Sequence, residues 1–77
     1  MTVDPGVGDY VYEQVADVIR QRIASGAYPV GRVMPSARTL SQELEVSVGS
    51  VKRAIQILRN EGMVETRLGR GIVVKAR

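Results

Sequence analysis

The chain contains no cysteine, histidine, tryptophan or phenylalanine, and only three tyrosines in 77 residues. Without cysteine there is no disulfide framework, thiolate metal site or redox pair. Without histidine, the imidazole zinc ligand and the commonest general base are also missing. No catalytic residue, metal ligand or cofactor is assigned, and an enzyme is not expected. No apolar run reaches the ~18 residues of a membrane-spanning helix. The opening MTVDPGVGDY carries acid where a secretory signal would carry base. A soluble, cytoplasmic protein without membrane association is expected.

What is present fits one small folded domain. Hydrophobic residues make up 44% and charged residues 25%, which is ordinary for a globular fold. The net charge of +3 hides an asymmetry. Residues 1–37 hold three arginines against four acids, a balance of −1, whereas residues 38–77 hold eight bases against four acids, a balance of +4. Basic charge gathered in one half suits a polyanionic partner, nucleic acid first. Tyr10, Tyr12 and Tyr28 all precede the basic half. Stacking of unpaired bases on aromatic platforms is therefore disfavoured, and a duplex preferred.

Residues 1–8, with Asp4-Pro5-Gly6 and Gly8, read as a flexible lead-in, and residues 9–77 as one domain. A helix is expected from about Asp9 to Ser25, because Val11, Val15, Val18, Ile19 and Ile23 recur at helical spacing. Asp9 suits its N-cap and Gly26 its stop. Tyr28-Pro29-Val30-Gly31 is turn chemistry, followed by a short extended segment at Arg32-Val33-Met34. Ser36 caps a second, short helix to about Leu44, with Leu40 and Leu44 inward. Ser47 caps a third helix, with Val51, Ala54, Ile55 and Leu58 as its buried stripe and Gly62 as its end. The period then changes, and Met63–Arg67 and Ile72–Lys75 read as strands of a hairpin. The fold class is mainly α with a small β-hairpin.

The second and third helices, joined by Glu45-Val46, have the spacing of a helix-turn-helix. In that unit the second helix lays its N-terminal part in the major groove of DNA. Opposite the buried stripe of the third helix lie Gly49, Lys52, Arg53, Gln56 and Asn60, with Ser50 on the flank. Four of the first five can donate to phosphates or base edges, though a plain solvated face has the same look. The hairpin turn, Arg67-Leu68-Gly69-Arg70-Gly71, places two arginines and two glycines where backbone or minor groove could be met. An ordinary solubilising hairpin tip reads the same way. Arg38 sits exposed one turn into the second helix. Glu43, Glu45, Glu61 and Glu65 have no nucleophile beside them and read as solvated charges. Ile57 projects away from the main stripe; it either packs under the hairpin or first helix, or marks a surface for another protein.

Seven segments together carry a resemblance: Tyr12-Glu13-Gln14-Val15-Ala16-Asp17, Ile23-Ala24-Ser25-Gly26, Met34-Pro35-Ser36-x-Arg38-x-Leu40, Val46-Ser47, Val51-Lys52-x-Ala54-Ile55, Leu58-x-x-Glu61-Gly62 and Gly69-Arg70-Gly71. In that order and spacing the chain, over about residues 10–75, resembles the N-terminal winged helix-turn-helix domain of GntR-type bacterial transcriptional regulators. The resemblance implies sequence-specific binding of double-stranded DNA, with a recognition helix at about 47–61 and a wing at 63–75. It carries contacts onto Arg38, Ser47, Val48, Gly49, Ser50 and Lys52, and onto Gly69 and Arg70 of the wing; Ser36, Arg53, Gln56 and Arg67 join them as candidate contacts from the helix cap, helix face and hairpin. The chain departs from the family pattern at Ala37, Glu45, Val48 and Arg53, where glutamate, glycine, arginine and glutamate are common. Glu45 in place of glycine puts the turn geometry in question. The partner implied is duplex DNA with paired half-sites, bound by a monomer or weak homodimer. No effector-binding domain is visible in these 77 residues, as in a stand-alone small regulator or a piece of a longer one. The rival reading is a winged helix used as a protein-interaction module.

Overall fold

The computed structural model describes residues 11–75, so the expected lead-in and the Asp9 cap lie outside the described residues. Three helices come first: α1 (Val11–Ser25), α2 (Ala37–Leu44) and α3 (Val48–Asn60). A hairpin of β1 (Val64–Arg67) and β2 (Gly71–Val74) follows, antiparallel, with Val64 opposite Val74 and Arg67 opposite Gly71. No described helix is long and apolar enough to cross a membrane.

Each helix end is set by local chemistry. The interior of α1 has neither glycine nor proline, and Gly26, at φ 86°, turns the chain out of it. Ser36 and Ser47 are extended residues whose hydroxyls accept from the amides of Thr39 and Ser50, as N-caps do. The close of α2 is less expected, because Glu45 is the one described non-glycine residue with positive φ, at 57°. Its amide and that of Val46 both bond back to the Ser41 carbonyl. The tight turn is thus made without glycine, against a left-handed penalty of about 1–2 kcal/mol per L-residue. Glu61 caps α3 and Gly62, at φ 78°, leads into β1.

The expected inward residues form one core. Val15, Val18, Ile19, Leu40, Leu44, Val51, Ala54, Ile55 and Leu58 are buried together, with Val11 and Ile23 partly buried against them. Full burial of such a side chain contributes about 1.5–3 kcal/mol. Met34, Met63, Val64 and Val74 complete the cluster, so the strands close one side of the helices.

The segment before α2 is reduced to a single bridge, Val33 opposite Val73. Its backbone nevertheless runs along the free edge of β2. The amides of Gly31 and Met34 bond to the carbonyls of Val74 and Ile72 at 2.8 and 2.9 Å, and the Val74 amide bonds to the Arg32 carbonyl at 3.0 Å. Adjacent side chains of a strand point to opposite faces, yet Val73 and Val74 are both buried. Val74 joins the main core, whereas Val73 stays outside it; both border an outer hollow with Val30 and Gly31.

Candidate nucleic-acid interface

Most of the described cations fall into two groups; Arg32, ahead of α2, and Arg59, in the last turn of α3, stand outside both, exposed and without a carboxylate partner among the described residues. Arg20 on α1 grips the carboxylate of Glu61 with two nitrogens, at 3.0 and 2.5 Å, and Asp17 with a third at 2.6 Å. Arg22 bonds to Glu43 and to the Tyr28 hydroxyl. Arg67 pairs with Glu65, which Lys75 also approaches at 3.8 Å. These contacts replace the expectation that Glu43, Glu61 and Glu65 are merely solvated: Glu43 and Glu61 tie α2 and the end of α3 to α1. Arg22, by hydrogen-bonding Glu43, holds that carboxyl below its usual range. Arg67 does the same to Glu65. The Arg20–Glu61 and Arg22–Glu43 pairs span 41 and 21 residues of chain, which no local pattern reveals, whereas Arg67 and Glu65 are only two residues apart on one strand.

The second group has no carboxylate partner among the described residues. Arg38 on α2 and Lys52 and Arg53 on α3 are exposed, beside Gly49 and Gln56 on the same outer side of α3. Packing makes this sorting inevitable, because the stripe Val51, Ala54, Ile55, Leu58 is buried and everything opposite must face out. Val48 begins the helix with 36% of its surface exposed, a large apolar side chain left at the helix mouth. Gly49 leaves open space, since an added Cβ would meet nothing nearer than the Ser47 hydroxyl at 3.9 Å.

The three serines have structural work of their own. Ser36 accepts from the Thr39 amide and donates to the Thr39 hydroxyl at 3.0 Å. Ser47 accepts from the Ser50 amide, and the two hydroxyls lie 2.9 Å apart. One proton serves that mutual bond, which leaves one hydroxyl proton of the pair for an outside acceptor.

At the wing, Gly69 has φ 80° and the Arg70 amide bonds to the Arg67 carbonyl at 3.1 Å. Positive φ at the third position of such a turn favours glycine. Arg70 is exposed and unpaired among the described residues, so the two wing arginines that look alike in sequence differ: Arg67 is occupied by Glu65. Between them Leu68 is fully exposed. Ile57 does not stand out from the surface. It is half-buried and lines a shallow hollow with Glu13, Ala16, Asp17 and Arg20, on the α1 side of α3. Sequence reading also missed Tyr12, whose ring lies 4.1 Å from the Arg53 guanidinium.

The family model for bacterial regulatory proteins of the gntR family matches residues 11–74. The chain belongs to the GntR family. The Exu regulon transcriptional regulator of Escherichia coli K12 is 42% identical over 64 residues, covering 83% of this chain and 25% of that protein. The chain therefore spans about a quarter of the length of this curated relative. Among solved structures, the GntR-family transcription factor YtrA from Sulfolobus acidocaldarius superposes with a TM-score of 0.83 at 32% identity, covering 100% of this chain and 66% of that one. The DNA-binding domain of AraR, solved in complex with its operator ORX1, gives a TM-score of 0.77 at 28% identity, covering 82% of this chain and 76% of that one. Three helices and a two-stranded wing are thus the winged helix-turn-helix of GntR regulators.

Proposed function

We propose that this GntR domain binds duplex DNA in a sequence-specific way, as the reading head of a cytoplasmic transcriptional regulator without enzymatic activity. The recognition helix α3 enters the major groove, and the wing rests on adjacent backbone or minor groove. The observation that carries this reading is the sorting of cations. Those on α1 and the wing strands are spent on carboxylates, while Arg38, Lys52 and Arg53 keep their donors on the helix-turn-helix face. Phosphates position such a domain and base edges specify its site. Val48, where an arginine is common, offers a methyl surface suited to thymine rather than a guanine-reading fork. The alternative of a protein-interaction module depends on Ile57, and that side chain is half-buried beside α1.

Selection of bound sites from random duplex DNA tests sequence specificity directly. A recovered consensus, with affinity that falls steeply as salt rises, is the expected result. Equal recovery of all sequences would sink the specific reading. Pairing of half-sites belongs to the same proposal: free chains stay monomeric or weakly dimeric, and a second copy binds with help from the first. A stable interface buries about 1,200–2,000 Å² in total, a large share of so small a surface. Sedimentation of the free protein checks this, and a tight dimer without DNA would overturn it.

A further inference from the structure

We propose that Tyr12 on α1 is a positioning residue for Arg53, holding its guanidinium against a DNA phosphate at the rim of the groove. This rests on the DNA-binding reading above and extends the interface beyond the helix-turn-helix to the first helix. The guanidinium carbon lies 4.1 Å from the centroid of the Tyr12 ring, well inside the ~6 Å reach of a cation–π contact. Such a contact uses the flat face of the guanidinium. Its five N–H groups lie in the plane of the group and stay available. No described residue takes any of them by hydrogen bond or ion pair, and Arg53 is exposed.

The other arginine–tyrosine pair shows the alternative use. Arg22 lies 5.6 Å from the Tyr28 ring, but its two terminal nitrogens donate to the Tyr28 hydroxyl and Glu43. That pair fastens the fold; Tyr12 and Arg53 leave a full set of donors facing out. Position on the helix indicates what those donors meet. At 100° per residue, Arg53 lies between the centre of the outer face, at Gly49 and Asn60, and the α1 side, at Ile57. Arg53 stands about 20–40° from that centre, and the ring on the neighbouring helix draws its guanidinium toward the α1 side, where the strand that borders the groove would pass. Stacking also restricts a long, flexible side chain before DNA arrives, so less freedom is lost on binding.

The test measures binding of the full chain to a mixed-sequence duplex over a salt series, with thermal unfolding of each variant alongside. Arg53→Ala is expected to weaken binding by about 5–10-fold and to flatten the salt slope by about one unit, the signature of one lost phosphate contact. Tyr12→Leu, which keeps apolar bulk but removes the ring, should weaken binding about 2–5-fold. Tyr12→Phe should bind as the native chain does. In the Arg53→Ala background, Tyr12→Leu should have no further effect, because the ring acts through the arginine. An equal loss from Tyr12→Leu with or without Arg53 would overturn the inference, as would a Phe variant no better than Leu. If Arg53→Ala leaves affinity and slope unchanged while Arg38→Ala and Lys52→Ala weaken binding, the inference fails and the DNA-binding face stands. If all three are silent, the face itself is wrongly assigned.

Discussion

Arg20, in the middle of α1, and Arg38, in the first turn of α2, are both arginines on helices of the same small domain, and they have opposite circumstances. Arg20 holds two carboxylates from two elements, whereas Arg38 is exposed with no carboxylate partner among the described residues. The back of the molecule, built on α1, satisfies its cations internally. The face built on α2, α3 and the wing tip does not. A cation already paired adds little to the field outside, and an unpaired one adds its whole charge. The modest net charge of +3 therefore understates what a polyanion meets on the second face.

The sharpest way to break this comparison is to exchange the roles. Arg38→Ala and Lys52→Ala should each weaken specific binding by about 1–3 kcal/mol while leaving thermal unfolding nearly unchanged. Arg20→Ala should do the reverse, lowering the melting temperature while binding, measured well below that temperature, is kept. If Arg20→Ala weakens binding as much as the other two, the division of faces is wrong. The wing offers a finer version. Arg70→Ala should flatten the salt slope of binding by about one unit, and Arg67→Ala by clearly less, because Glu65 already holds Arg67. Equal slopes for the two variants would show that the Glu65 pair opens on DNA.

Smaller effects probe how the faces are joined. Glu45→Gly should raise stability by about 0.5–1 kcal/mol, since relief of the left-handed strain outweighs the greater freedom of glycine in the unfolded chain. Denaturant unfolding of the variant checks this, and a loss of stability would mean that the Glu45 side chain is held by something else. The smallest change is expected on acidification. Glu43 titrates below the usual carboxylate range in the folded protein because Arg22 hydrogen-bonds to it. Its contribution is full above the unfolded pKa and is lost as pH falls through the folded value, where the unfolded chain has already taken its proton. For a pair this exposed the loss should stay below about 1 kcal/mol. Glu43→Gln should remove that part of the acid dependence, and an unchanged pH profile would count against the pair.

Most of the architecture is legible in residue spacing. The apolar repeats of α1 and α3, the serine caps at Ser36 and Ser47, and the glycines of the wing turn all act within a few residues of themselves. The outer positions Lys52, Arg53 and Gln56 follow from the same stripe, since a helix that buries one side must expose the other. Glu45 shows where a local rule misleads. Glycine is preferred at a left-handed cap, yet the packing of Leu44 and the bonds to Ser41 hold the turn with glutamate in its place.

By itself, then, the sequence determined where α2 and α3 begin and where all three helices end, which side of each is apolar, and that basic residues gather after residue 37. Those properties are periodic or adjacent, and the backbone's own geometry enforces them. Only the tertiary structure decided which charges are spent. Arg20 with Glu61, Arg22 with Glu43 and Tyr12 with Arg53 meet across 41, 21 and 41 positions of chain. Two arginines on one helix, or two on one hairpin, are chemically identical until folding brings a carboxylate or a ring beside one of them. Coulomb attraction and stacking act over a few ångströms of space, and separation along the chain carries no record of that distance.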